Sequence, residues 1–261
     1  MPGFFRPVHG SFLTIGALAL GLSLSSQALA AGGAFAVDDS EVGKVGECKV
    51  ESWASFMTGN PDDFIGAVSP ACVVSLGRPV EISAAITRSR SDREWATGGE
   101  IKGKTNIIST ENSRIGVGFV GGYGYDFTGS STAAYFLKVP VTFVVNDVFR
   151  INANGGYTHE KHDIGNVDLF SWGGGFEWTL YSAKVQENER SVTLIGEVFG
   201  VAGARAVDAD GEKESSKTRD PRGQVGLRFT PQEKFDIDVI YGRNITGEDD
   251  NWVTVGLNVR F

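Results

Sequence analysis

The last ten residues, WVTVGLNVRF from Trp252 to Phe261, alternate strictly. Val253, Val255, Leu257, Val259 and Phe261 fall on one side, and Thr254, Gly256, Asn258 and Arg260 on the other. A period of two with one wholly apolar side marks a strand between unlike environments. The same alternation recurs in residues 80–87, 99–108, 114–125, 132–143, 148–158, 169–180, 191–201, 222–230 and 235–243. Together these predict about ten strands, eight being also compatible, of the roughly ten-residue length with which a tilted strand crosses a bilayer. Pro140 falls inside the fourth, where a bulge would absorb it, because proline cannot donate to a ladder. Connections alternate too. Residues 109–113, 144–147 and 231–234 read as tight turns, while 89–98, 159–168, 202–221 and 244–251 are longer and more charged. The stretch 126–131 is short for its side, and 181–190 is long for its own.

Assigning the two faces strand by strand puts Ile101, Ile115, Phe119, Tyr135, Leu137, Trp172, Trp178, Leu227 and Val239 outward. The opposite face collects Glu81, Glu100, Glu177, Glu197, Asp236 and Asp238 with Lys102, Lys104, Lys138, Arg150, Arg222, Arg228 and Arg260. Opposite charges in a narrow lumen should pair, since an uncompensated one would cost several kcal/mol. Glycines at 116, 118, 122, 124, 173 and 175 leave room on that face for long side chains. This pattern points to a largely filled, charge-paired interior.

Ahead of the strands, residues 12–24 read FLTIGALALGLSL, an uncharged run too short to span a bilayer as a helix. With a basic start at Arg6 and with Ala28 and Ala30 in a small-x-small arrangement, residues 1–30 are expected to be a signal peptide. Residues 31–78 then form a small N-terminal periplasmic segment carrying both cysteines, and 79–261 the barrel. In an exported protein an oxidising compartment makes a Cys48–Cys72 disulfide the default. That segment is too small to bury a core alone, but it could cap or enter the mouth of the barrel.

The closing pattern of a polar residue, a glycine and hydrophobic residues ending on an aromatic resembles the last strand of Gram-negative outer-membrane β-barrel proteins. The resemblance implies an all-β antiparallel transmembrane barrel, exported to the outer membrane with its C-terminus periplasmic. It also implies that Thr254, Gly256, Val259 and Phe261 are the signal read by the barrel assembly machinery. The tract 241–261 also resembles the ends of uncharacterised alphaproteobacterial barrels. Acidic residues outnumber basic ones 32 to 24, which argues against nucleic acid as a partner and leaves outer-membrane lipid and a small polar solute. Two cysteines and three histidines supply no zinc spacing, so no cofactor is expected. His159, Glu160, His162 and Asp163 cluster on one loop, but H-E-x-H is not the helical zinc-protease motif. The Asp208 to Gly211 stretch is a turn rather than a calcium loop.

The leading expectation is a non-enzymatic barrel that supports envelope integrity or presents surface loops. The alternative is a narrow porin-like channel for small polar solutes or ions, and the third an omptin-like enzyme. Deleting Phe261, or replacing it with Asp, should impair assembly more than changing Arg260, because the closing strand must bury its edge. Heat-modifiable gel migration of membrane fractions reads this, and normal amounts of folded protein after the deletion would remove the signal.

Overall fold

A computed structural model describes residues 34–58, 63–91, 93–128, 133–162, 165–185, 188–202, 206–207, 213–214, 221–245 and 251–261. The expected signal peptide and the Asp208 to Gly211 turn lie outside these residues. The strands are β1 (Cys48–Met57), β2 (Phe64–Ser75), β3 (Pro79–Ser91), β4 (Glu94–Ile108), β5 (Ile115–Asp126), β6 (Ala133–Asn146) and β7 (Phe149–His162). They continue with β8 (Gly165–Val185), β9 (Asn188–Ala202), β10 (Ala206–Val207), β11 (Lys213–Glu214), β12 (Arg222–Gln232), β13 (Phe235–Asn244) and β14 (Asn251–Arg260). β10 and β11 pair only with each other; the other twelve close into one barrel, each hydrogen-bonded to its two neighbours. Closure runs through β1 and β14, antiparallel from Lys49 opposite Arg260 to Met57 opposite Trp252.

The barrel therefore has twelve strands rather than ten, and the two extra come from the segment 31–78 expected to stand apart from it. Their alternation is weak for a physical reason. β1 turns Val50, Ser52, Ala54 and Phe56 one way and Lys49, Glu51, Trp53 and Ser55 the other, so small and polar residues dilute the apolar side. β2 buries Ala71 and Val73 inward while Val68 and Pro70 face out, which erases the contrast. The closing strand consequently meets β1, and the strand near Val80 is the third in the wall.

Pro140 is accommodated without a bulge. It keeps its partner Asn154 on β7, while the β5–β6 ladder omits the residues opposite it and resumes in the same register. Facing it is Gly118, where a Cβ would come within 2.9 Å of the proline ring. Two stretches read as long loops are ladder instead. β3 and β4 pair up to Ser91 opposite Glu94, and β7 and β8 up to His162 opposite Gly165. At the other end, 181–190 is likewise mostly hairpin, paired to Val185 opposite Asn188.

The outside is apolar and the inside polar. Ile101, Leu137, Trp172, Leu227, Val239 and Val255 are exposed around the wall, whereas Glu81, Lys138, Glu197, Asp236 and Asp238 are buried within it. Water would reverse this arrangement; hydrocarbon favours it. Ten residues at about 3.3 Å each, tilted by about 40°, rise about 25 Å, the height of such an apolar band. Both chain ends of the barrel lie at the same rim, where Cys48 and Phe261 exchange two backbone hydrogen bonds of 2.9 Å. Tight turns such as 147–148 and 233–234 share this rim.

Cys48 and Cys72 are bonded, and they sit directly opposite each other in the β1–β2 ladder. The bond thus staples two neighbouring strands of the wall instead of closing a separate segment. Loop-closure entropy for a loop of this size is worth about 3 kcal/mol. The double variant C48S/C72S should still form the barrel, because the ladder does not need the bond, but should unfold at a lower temperature. Heat-modifiable migration recorded against temperature gives the midpoint, and an unchanged midpoint would contradict the assignment.

Candidate functional site

The bore is walled by the inward residues of all twelve strands, and most of its charges meet within the wall. Arg150 Nη2 binds Glu177 at 2.6 Å, across the β7–β8 ladder. Arg228 grips Asp238 with Nε at 2.8 Å and Nη2 at 3.3 Å, and Arg260 pairs with Asp236. Thr230 donates a further hydrogen bond to Asp236 at 2.7 Å. Lys49 of β1 reaches both Glu51 and Glu81 at 3.2 Å. Lys102 lies 3.9 Å from Glu100. Arg222 lies near the far rim, its guanidinium 5.8 Å from the Trp252 ring.

Lys104 and Lys138 instead meet a piece of chain that is not wall at all. Residues 34–47, ahead of β1, cross the bore from the β8–β14 side, at Ala34 to Val37, to the β4–β7 side, at Asp38 to Glu41, and return to β2, where Gly46 donates to the Val73 carbonyl. Lys104 Nζ binds Asp39 at 2.9 Å and Lys138 Nζ binds Asp38 at 2.8 Å, with Arg150 3.9 Å from Asp39. Backbone groups of the segment are satisfied by wall side chains. Glu197 accepts from the N–H groups of Ala36 at 3.0 Å and Val37 at 3.2 Å, and from Gln224 Nε2 at 2.7 Å. Asn154 serves Asp38 twice, accepting from its N–H at 2.7 Å and donating to its carbonyl at 2.8 Å.

The Ser40 N–H donates to Thr142 Oγ1 at 2.9 Å, Thr142 donates to Asn152 at 2.8 Å, and Asn152 donates to Glu177 at 2.8 Å. One hydrogen-bonded chain thereby joins the segment to the Arg150–Glu177 ion pair. Two wall glycines make the crossing possible. A Cβ at Gly116 would collide with Ser40 Oγ, and one at Gly173 would come within 2.9 Å of Val37. The sequence reading gave these glycines to long wall side chains; their space is taken by the segment.

The acidic pair is electrostatically suited to this seat. Burial by itself would raise the Asp38 carboxyl, but Lys138, Lys104 and Lys102 outweigh it and bring the pKa from 3.8 to about 2. Asp39 is also held below the usual carboxylate range, with Lys104 and Arg150 overcoming the burial cost. Beside the segment remains a cavity of about 350 Å³, lined among others by Lys49, Glu81, Lys104, Glu177, Asn258 and Arg260.

Sequence reasoning missed Lys49 and Glu51, because β1 was not read as wall, and it assigned no role to Asp38, Asp39 or Ser40. The one available signal was the polar set Thr142, Asn152 and Asn154 on inward positions that lack a charge to pair. On the opposite rim, His159 Nδ1 lies 2.7 Å from Asp168, which also accepts from Tyr157 at 2.6 Å. Glu160 points to the other face and is buried, and the side chains of His162 and Asp163 lie outside the described residues. Among the described residues no group of His, Cys, Asp and Glu could hold a metal ion.

Several solved structures share the fold. An outer membrane channel from Pseudomonas putida F1 superposes with a TM-score of 0.64 at 11% identity, covering 85% of this chain and 98% of that one. The KdgM porin in complex with disordered oligogalacturonate gives 0.58 at 11% identity, over 82% and 99%. The NanC porin gives 0.56 at 8% identity, over 80% and 98%. The fold is thus that of the Gram-negative outer-membrane barrels. No curated protein matches the chain. A family model does match, over residues 19–261, so the chain belongs to the family described as Uncharacterised conserved protein UCP029691.

Proposed function

We propose that the protein is a narrow, porin-like channel of the outer membrane for small polar solutes or ions, with residues 34–47 obstructing its bore. One observation carries this: the obstruction is not part of the wall. The segment's core, residues 34–41, is held by side chains such as Asn154, Thr142 and Glu197. No ladder of the barrel depends on it, so its withdrawal leaves twelve paired strands around a bore lined with charge. The solved proteins that share the fold are described as porins and a channel, which supports the same reading. In this reading the short-turn rim, with both barrel ends, faces the periplasm, which the usual asymmetry of such barrels supports. Phe261 at that rim is then the residue presented to the assembly machinery, and the apolar band meets outer-membrane lipid.

A second reading, a filled barrel that supports the envelope or presents its outer loops, is favoured by the complete burial of Ser40 inside the bore. Planar-bilayer recording separates the two. Deleting residues 34–41 should convert small or infrequent conductance steps into larger, stable ones. A deletion variant that folds, by heat-modifiable migration, and still passes no current would establish the filled barrel instead.

Acid should loosen the obstruction. Because the Asp38 pKa is depressed, its contribution is fully present above about pH 4 and is lost as pH falls through about 2. Asp39 acts in the same direction. Conductance should therefore be constant from pH 7 to 4 and rise below that, and D38N/D39N should show the open level already at pH 7. A rise centred near pH 6 would point to other groups.

A further inference from the structure

The obstructing segment occupies the bore as a ligand occupies a site, and its chemistry identifies what the wall is built to hold. Lys104 on β4 lies opposite Val120 on β5, and Val120 lies opposite Lys138 on β6. The two lysines therefore stand in one cross-strand row, two strands apart, which separates their Cα atoms by about 10 Å. Between them on the wall stands the side chain of Val120, 2% exposed. To the two lysines come two carboxylates from consecutive residues, Asp38 on Lys138 at 2.8 Å and Asp39 on Lys104 at 2.9 Å.

Further donors converge on the same place. Asn154 Nδ2 donates to the Asp38 carbonyl at 2.8 Å, and Arg150 approaches Asp39 at 3.9 Å. Other acids stand nearby: Glu177 binds Arg150 and Asn152, Glu81 binds Lys49, and Glu100 lies 3.9 Å from Lys102 and within electrostatic reach of Lys138. The cavity of about 350 Å³ adjoins the site and includes Lys104 and Arg150 in its lining, so a small solute reaches it from the open part of the bore.

We infer that Lys104 and Lys138, with Arg150 and Asn154, form a binding site for small solutes bearing two or more carboxylates, and that Asp38 and Asp39 occupy it as an internal mimic. This rests on the channel reading for its place in transport, but not for the binding itself. A diffusing polycarboxylate and the segment then compete for the same two ammonium groups, so solute binding and withdrawal of the segment are one event. A single carboxylate, able to reach one lysine at a time, competes poorly.

The test uses the mature chain in detergent micelles, with citrate as probe and isothermal titration as readout. D38N/D39N, whose site has lost its internal competitor, should bind citrate about tenfold or more tightly than the wild type. Adding K104M/K138M should abolish that binding, adding K104R/K138R should retain it, and acetate should bind weakly throughout. Citrate binding no tighter in D38N/D39N than in the wild type, or unchanged by K104M/K138M, overturns the site. Heat-modifiable migration checks that each variant is folded. If D38N/D39N does not assemble, saturable citrate binding to the wild type that K104M/K138M removes supports the site, and no such binding overturns it. Since no current is measured, the two readings fail separately. A barrel that binds citrate but never conducts loses the channel, whereas one that conducts without binding citrate loses only the site.

Discussion

In hydrocarbon no water is present to satisfy a backbone amide, so every N–H and C=O of a spanning strand must find another strand. The β1–β14 ladder is where this requirement is met, and the rest of the molecule follows from it. Closure removes the last edge, forces alternate residues into a sealed bore, and brings both ends of the barrel to one rim. There Cys48 bonds Phe261 through the backbone and Cys72 through sulfur, so the seam and the staple share a residue. The chain immediately before Cys48 starts at the mouth of the bore, which is why it can enter.

A bore of twelve strands is wider than its own side chains fill, and its interior is charged. Pairing within the wall handles most of that charge through Arg150, Arg228, Arg260 and Lys49. The segment 34–47 adds two carboxylates, bound to Lys104 and Lys138, while the wall's amide and hydroxyl groups bind its backbone. The segment is thus held across the bore by the chain's own groups. Its hold consists of ion pairs and side-chain hydrogen bonds, individually modest interactions. In the proposed channel, obstruction and selectivity are the same structural feature.

Much of this was legible in the chain. Alternation in segments such as Trp252 to Phe261 identified strands, faces and architecture, because the contrast between lipid and lumen is written into every second residue. Charges such as Glu81, Lys138, Asp236 and Asp238 are buried on the inner face for the same reason, and the two cysteines are bonded to each other. Strand number could not be read, since β1 and β2 turn serine, alanine, glycine and proline outward where large apolar residues would have announced them.

What the sequence determined by itself is the period of two, and hence which side of each strand meets lipid; this is a local property, fixed by neighbours along the chain. Only the tertiary structure decided which residues meet across the bore. Lys104 and Asp39 are 65 positions apart, Lys138 and Asp38 are 100, and Glu197 lies 160 from Val37. No periodicity encodes such contacts, because they exist only once twelve strands have closed and turned the inner face of one wall towards another.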